Sequence, residues 1–158
     1  RMKAKLKFKV KMPHWKTIVI LLLAIILVVA VVYSVKYFEK DEEEVPFTVL
    51  NEDEIPQKIK EILPRYKSLE RALACKADDK IYVIVTRGEK PTGGYTVRLD
   101  ALEMKEEENK KILIVYATFK DPEPGDIVTQ VITYPYVAAE TNLKELPDKI
   151  ELKVQYDN

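Results

Sequence analysis

Hydrophobic and polar positions divide the chain into one long apolar run and a series of short alternating segments. The run, over residues 17–35, is dominated by Ile, Val, Leu and Ala and contains no charged residue. At about 1.5 Å of rise per residue it spans roughly 28 Å, close to the hydrocarbon thickness of a bilayer. A core helix of a globular protein would show a polar stripe, which this run lacks. The pattern therefore predicts a transmembrane helix over 17–35.

The charges beside this run predict its orientation. Seven bases precede it, whereas the two bases that follow, Lys36 and Lys40, are mixed with acids. The positive-inside rule then places the N-terminus in the cytoplasm and the rest of the chain outside, as a single-pass protein of the cell membrane. Trp15, Tyr33 and Tyr37 are predicted to lie at the membrane–water interfaces.

Two alternatives concern the N-terminal part. A cleaved signal peptide would also have a basic start and an apolar stretch, but the apolar run continues past its poor cleavage site at Ala30. The tail, residues 1–16, alternates lysine with apolar residues. We interpret it as a cytoplasmic polybasic arm on membrane lipid, and the alternative is a strand that binds RNA or a protein partner.

Beyond a predicted acidic linker over 36–46, the pattern predicts a mainly β domain over 47–158. Ile55, Ile59 and Ile62 recur at helical spacing, which predicts one short helix over 52–63, capped by Asn51 and ended by Pro64. Alternation with period two predicts about seven strands, at 47–50, 69–76, 80–87, 94–104, 112–119, 127–136 and 150–156. Residues 112–119 are apolar on both faces, which predicts a central strand. We expect a small antiparallel β-sandwich or a barrel-like domain.

Charge distribution changes this picture more than composition does. The 158 residues allow one ordinary domain and an anchor. The formal net charge of zero conceals an asymmetry, because residues 1–38 hold eight bases and no acid, whereas 39–158 hold 18 bases and 26 acids, a net charge of −8. We predict no nucleic-acid partner.

The residue inventory argues against catalysis. His14, the only histidine, precedes the membrane run, and Cys75 is the only cysteine. Cys/His catalysis, a Cys/His zinc site and an intramolecular disulfide are therefore excluded from the outer domain. Cys75 lies in a strand pattern and is predicted to be a small buried apolar residue. We predict no enzyme activity, no catalytic residue, no cofactor and no small-molecule substrate.

An acidic loop could in principle bind a metal ion. Asp121, Glu123 and Asp126 fall within six residues and could offer oxygen ligands to Ca²⁺. Their spacing matches no calcium-loop signature, and prolines and acids are ordinary turn residues. We predict no metal site.

The segment 88–95 holds three of the four glycines and lies between two predicted strands. Its Gly88-x4-Gly93 spacing begins like a phosphate-binding loop. However, Gly94 and Tyr95 stand where Lys and Ser/Thr are required, and the segment leads into a strand rather than a helix. Nucleotide binding is therefore rejected. A rigid turn or a binding tip remains.

Two stretches carry a family resemblance. Ile81-Tyr-Val-Ile-Val-Thr-Arg-Gly-Glu-Lys-Pro-Thr-Gly-Gly-Tyr95, followed by Pro124-Gly-Asp-Ile-Val-Thr-Gln-Val-Ile-Thr-Tyr-Pro-Tyr136, resembles the C-terminal domain of the protease complex subunit PrcB family. The resemblance covers about residues 68–140. It implies a bacterial, extracytoplasmic, non-catalytic domain, because the founding member is a lipoprotein partner of a subtilisin-like surface protease. This chain differs in having a predicted transmembrane helix instead of a lipid anchor.

One loop is also similar to a second family. Lys90-Pro91-Thr92-Gly93-Gly94-Tyr95 is similar to the Asn-Pro-Thr-Thr-Gly-Tyr loop of chagasin-type inhibitors of cysteine proteases, with Lys in place of Asn and Gly in place of the second Thr. The similarity covers six residues. A turn that sets strand register, a partner-binding tip and true protease inhibition all remain open.

We therefore predict a membrane-anchored, non-catalytic, extracytoplasmic protein-interaction domain, with an accessory subunit of a surface protease as the specific expectation. The alternatives are a chagasin-like inhibitor and a cell-wall or carbohydrate-binding module. The expected partners are membrane lipid and another extracytoplasmic protein. The predicted partner-binding residues are Lys90, Pro91, Thr92, Gly93, Gly94 and Tyr95, a second loop of Pro124, Gly125 and Asp126, and the neighbouring Tyr134, Pro135 and Tyr136.

Overall fold

The computed structural model describes residues 14–38 and 42–157, except for the side chains of 36–38. The chain divides into two compact units, 1–40 and 41–158. The predicted basic arm lies almost wholly outside the described residues, and so does the side chain of Tyr37.

The described part of the first unit is a helix, α1 (His14–Phe38). Its segment His14–Val35 is long and apolar enough to cross a membrane, as predicted. Every described side chain of this segment is exposed, including those of Trp15 and Tyr33. None of the described side chains of helix α1 is therefore buried in a core.

The second unit is a two-sheet β-sandwich with one helix, which confirms the predicted fold class and favours the sandwich over the barrel. Its elements among the described residues are β1 (Glu43–Glu44), β2 (Phe47–Val49), α2 (Gln57–Tyr66), β3 (Glu70–Ala77), β4 (Lys80–Arg87), β5 (Thr96–Glu107), β6 (Lys110–Lys120), β7 (Tyr136–Thr141) and β8 (Lys149–Asp157). Sheet A has the strand order β1-β5-β6-β8, and sheet B has the order β2-β7-β4-β3.

The main core lies between the two sheets. Val83 and Val85 of β4 pack there with Leu113, Val115 and Phe119 of β6, and all five are inaccessible to solvent. A second cluster lies on the other face of sheet B, where Ile59 and Leu63 of α2 cover Tyr82, Ile84 and Ala138. Because sheet B is covered on both faces, β4 is buried along almost its whole length.

Two hairpins of the sandwich have two-residue turns. Asp78 and Asp79 join β3 to β4, and Glu108 and Asn109 join β5 to β6, and all four have positive φ angles. This is the type I′ geometry, whose twist matches that of the flanking strands. Both turns fall in the gaps that the sequence leaves between predicted strands, at 77–79 and 105–111.

The helix differs from its prediction at both ends. It begins at Gln57 rather than near residue 52, because Pro56 has an extended ψ of 142° and therefore stands outside the helix. Asn51 instead closes a separate turn, in which its N–H donates to Oε2 of Glu54 at 2.7 Å and its carbonyl accepts from the Glu54 N–H at 3.0 Å. Pro64 does not end the helix, since the Lys67 N–H still donates to the Leu63 carbonyl at 2.9 Å.

Three further features correct the predicted strands. The strand expected over 127–136 begins only at Tyr136, because the backbones of Thr129 and Thr133 bond to residues of another loop. The pairing of β6 with β8 is parallel, whereas the other strand pairs are antiparallel as predicted. Glu43 and Glu44, which we expected in a linker, pair with β5, and Val45 after them is buried in the main core.

Candidate interaction surface

Two loops at one end of the sandwich cross from one sheet to the other. Residues 88–95, the glycine loop, connect β4 of sheet B to β5 of sheet A. Residues 121–135, the proline loop, connect β6 of sheet A to β7 of sheet B. They contain all twelve predicted partner-binding residues except Tyr136, which begins β7.

Backbone hydrogen bonds join the two loops. The N–H groups of Lys90 and Thr133 each donate to the other residue's carbonyl at 2.9 Å. The Gly93 N–H donates to the Thr129 carbonyl at 2.9 Å, and Thr133 Oγ1 donates to the Thr92 carbonyl at 2.7 Å. The structure thus brings the two predicted loops together as one surface. The glycine loop is consequently not a free tip, since its backbone is bonded to the proline loop at Lys90, Thr92 and Gly93.

Two glycines permit this close approach. A Cβ atom at Gly94 would lie 2.7 Å from Cγ1 of Val128 and 2.9 Å from Cβ of Pro122, and one at Gly93 would lie 2.4 Å from Oγ1 of Thr129. Gly94 also has a φ of +87°, which other residues rarely adopt. The glycines therefore serve the contact between the loops rather than a phosphate.

A buried arginine, which we did not single out from the sequence, lies beneath the joined loops. The guanidinium of Arg87, at the end of β4, is only 2% exposed. It forms an ion pair with Asp121 and donates to the carbonyls of Lys120 at 2.6 Å and Thr96 at 3.3 Å. Arg87 thereby ties the end of sheet B to both strands of sheet A that carry the loops. The one sequence signal for it was a base ending an otherwise apolar strand.

Aromatic rings complete the environment of this cation. The guanidinium carbon of Arg87 lies 5.1 Å from the ring centre of Tyr95 and 5.0 Å from that of Phe119. Lys90 Nζ lies 5.6 Å from the same Tyr95 ring. Such contacts are worth about 2 kcal/mol when desolvated, and less when exposed. Tyr95, predicted as a binding residue, is thus largely a partner of two cations of its own chain.

The predicted aromatic neighbours have different roles. Tyr134 donates its hydroxyl proton to Oε2 of Glu89 at 2.8 Å, and this hydrogen bond raises the pKa of Tyr134. Tyr136 packs against the α2 cluster, and burial raises its pKa. Between them, the Pro135 carbonyl accepts from the Arg87 N–H at 2.9 Å. Tyr134 therefore belongs to the joined loops, and Tyr136 to the packing of the helix.

The predicted second site, Pro124, Gly125 and Asp126, forms an exposed turn of the proline loop. The Glu123 N–H donates to Oδ2 of Asp126 at 2.8 Å, and the Asp126 N–H donates to the Glu123 carbonyl at 3.0 Å. Asp121, the third acid of this loop, pairs with Arg87 instead. The carboxylates of Asp121 and Asp126 are therefore engaged separately.

Apolar side chains project from the proline loop into solvent. Ile127 is fully exposed, and Val131 and Ile132 are more than half exposed. The described part of the second unit has only seven exposed large hydrophobic residues, and this loop supplies three of them. Sequence reasoning missed them because their alternation with polar residues predicted a strand packed on a core.

The fold and these loops define a two-sheet domain with a preformed, partly apolar surface at one end. Residues 81–142 match the family model described as PrcB C-terminal, which confirms the resemblance found in the sequence. The matched segment runs from β4 through both loops to the residue after β7. No curated protein and no solved structure matches the chain.

Proposed function

We propose that the chain is a membrane-anchored, non-catalytic interaction protein whose outer domain binds another extracytoplasmic protein through the joined loops. The observation that carries this proposal is the exposure of Ile127, Val131 and Ile132 on a loop whose shape is fixed from beneath. Apolar groups on a rigid support bind at a low entropic cost, because little conformational freedom is lost on association. Exposed apolar patches on soluble domains commonly mark interaction sites.

The membrane anchor is helix α1. Its length and apolar surface support insertion in a bilayer, and the basic flank before it supports an outward-facing domain by the positive-inside rule. A cysteine introduced at the exposed Glu123 in a Cys75→Ala background tests this orientation. A membrane-impermeant maleimide should label it on intact cells. Labelling only after lysis would contradict the orientation.

The match to the PrcB C-terminal family supports a more specific role, that of an accessory subunit of a surface protease. In this role the domain stabilises or positions the enzyme, and the chemistry belongs to the partner. The closure of the glycine loop onto the proline loop favours this role over a chagasin-like inhibitor, since a plug needs a free tip.

The carbohydrate-binding alternative predicted a sheet face lined by exposed aromatic residues. The outer face of sheet A is the one not covered by a helix, and its side chains are mainly charged, with Lys105, Glu151 and Lys153 among them. Tyr116 is the single aromatic residue that alternates onto this face from the described strands, and it is half buried. No observation therefore favours a sugar-binding platform.

Site-specific photo-crosslinking in native membranes tests the proposal. A photoreactive residue at Val131 should yield one dominant crosslinked protein, and Ile127→Asp in the same chain should abolish the product. The matched control is a photoreactive residue at Leu146, which is also exposed but lies beside the start of β6, at the opposite end of the sandwich. Equal products from both positions, or a product indifferent to Ile127→Asp, would refute the loops as the binding surface. An active-site probe for serine proteases, applied to the crosslinked band, tests the accessory role.

A further inference from the structure

A groove runs beside the joined loops, between helix α2 and the end of the proline loop. Its volume is about 440 Å³. Lys60, Leu63 and Lys67 line it from the helix, and Ile132, Tyr134 and Tyr136 line it from the opposite side. Pockets of this size ordinarily accept small ligands or a few side chains of a partner.

The walls of the groove are fixed before any partner arrives. Thr133 is bonded through its N–H, its carbonyl and its hydroxyl to the glycine loop. Tyr134 is held on one side by its hydrogen bond to Glu89, and on the other by Lys67, whose Nζ lies 4.6 Å from the ring centre. A preformed groove binds more tightly than one that must be ordered on binding.

The groove has an apolar floor and an exposed apolar rim. Leu63 and the half-buried Tyr136 belong to the packed cluster beneath the helix. Ile132, on the rim, is 59% exposed. Pro64 adds a second apolar rim residue and has no N–H to be satisfied. One apolar side chain of a ligand would be covered on both sides here.

The charge beside the groove is opposite to that of the domain as a whole. Helix α2 and the residue after it carry four bases, Lys58, Lys60, Arg65 and Lys67, against the single acid Glu61. None of these bases takes part in the ion pairs found among the described residues. A basic strip on a domain of negative net charge attracts anionic groups selectively.

We propose that this groove binds an acidic, extended segment of the partner's polypeptide, with one apolar side chain between Leu63 and Ile132 and carboxylates on Lys60 and Lys67. The proposal rests on the proposed function, since it names the part of the partner that this surface recognises. Glu52 lies at the groove's margin. Its negative charge repels the carboxylates of a ligand, so that they face the two lysines instead.

Fluorescence anisotropy on the full chain in zwitterionic nanodiscs tests this inference. The probe is a fluorescein-labelled peptide, Gly-Glu-Glu-Leu-Glu-Phe-Asp-Glu. We expect saturable binding that weakens about tenfold or more in Lys60→Glu/Lys67→Glu, which corresponds to at least about 1.4 kcal/mol. A peptide with Lys in place of its acids, and one with Ser in place of Leu and Phe, should both bind more weakly.

A charge-matched variant controls for net charge. Lys110→Glu/Lys144→Glu makes the same change of charge at two exposed lysines at the other end of the sandwich, and neither belongs to an ion pair of the described residues. It should change the affinity by less than about twofold. Equal loss in both double variants would overturn the groove assignment. If Lys67→Glu disturbs the fold, Ile132→Ser still tests the groove, because this side chain is mostly exposed.

Other occupants give different results. Failure to bind the acidic peptide, or equal affinity for its Lys counterpart, would overturn the proposal. So would groove-dependent binding of phosphatidylglycerol vesicles or groove-dependent self-association without peptide binding. If the photo-crosslink from Val131 forms and the groove variants leave it unchanged, the proposed function stands and the groove assignment fails. If no crosslink forms while the peptide still binds, the proposed function fails and the chemistry of the groove stands.

Discussion

Replacing Arg87 tests whether the buried cation holds the joined loops of the sandwich together. Arg87→Met keeps the length and most of the apolar stem but removes the charge and its donors. The hydrogen bond to the Lys120 carbonyl, at 2.6 Å, is short and charge-assisted, and such a bond contributes about 1.5–3 kcal/mol. The carbonyls of Lys120 and Thr96 would also lose a donor that solvent replaces poorly.

Two effects reduce the loss of stability in Arg87→Met. Asp121 is 51% exposed, so water can solvate its carboxylate once Arg87 is gone. The variant also removes a buried cation whose Nε has no hydrogen-bond partner among the described residues, and relief from that desolvation is favourable. We therefore expect the free energy of unfolding to fall by about 2–4 kcal/mol, less than the sum of the separate contacts.

Urea unfolding of residues 41–158, followed by circular dichroism, measures this loss. This unit is compact and has its own core, so it can be studied without helix α1. With an m-value of about 1.5 kcal/mol/M, the midpoint should fall by about 1.3–2.7 M. The matched control is Arg98→Met, because Arg98 also pairs with an aspartate, Asp100, but is 69% exposed. Because solvent screens this exposed pair, the loss of stability in Arg98→Met should be clearly smaller than in Arg87→Met.

Comparing Arg87→Met with Arg98→Met shows whether the buried cation holds the joined loops together. If Arg87→Met costs no more than Arg98→Met, the cation does not hold the loops, and the backbone bonds between Lys90 and Thr133 suffice. Asp121→Ala gives a second reading, since it leaves the guanidinium buried without its carboxylate. Asp121→Ala should lower the free energy of unfolding by about 3 kcal/mol or more.

Two further predictions concern a glycine and the cysteine. Gly94→Ala should reduce the free energy of unfolding by about 1–3 kcal/mol more than Gly125→Ala, because both have positive φ but only Gly94 lies against Val128 and Pro122; equal losses in urea unfolding would show that backbone strain alone is responsible. Burial raises the pKa of the Cys75 thiol, so Ellman's reagent at pH 8 should react much more slowly with the native domain than with the urea-unfolded chain. The raised pKa also means that the contribution of the thiol to stability is complete below the unfolded pKa, near 9.0, and is lost as the pH rises through the folded value. Cys75→Ala should therefore lose less stability than the parent protein above pH 9, and identical pH profiles would contradict this.

The elements predicted best from the sequence are those whose periodicity matches their surroundings. Residues 80–87 and 112–119 read as strands because β-branched and apolar residues occupy both faces, and both strands lie inside a sheet. The apolar run of α1 is recognisable from its length and from the absence of charges and of a polar stripe. Local composition decided these elements, so no knowledge of distant partners was needed.

The errors arose where a distant partner decides the local structure. Residues 127–135 alternate like a strand, but their backbone groups bond to Lys90 and Gly93 of another loop. Arg87 could not be connected to Asp121 from the sequence, because 34 residues separate them. The composition of the glycine loop shows that its backbone is unusual. That its glycines leave space for the side chains of Val128 and Thr129 is visible only in the structure.

The parallel pairing of β8 with β6 has a consequence for biogenesis. Strand β6 is apolar on both faces, and one of its edges is covered only by β8, which is synthesised after the other described strands. Until then this edge offers unpaired backbone groups beside a hydrophobic surface, which is the arrangement that templates aggregation. A chain interrupted before residue 149 would keep that edge open. We expect folding of this domain to depend on chaperones, or on a partner that binds early, for as long as β8 is missing.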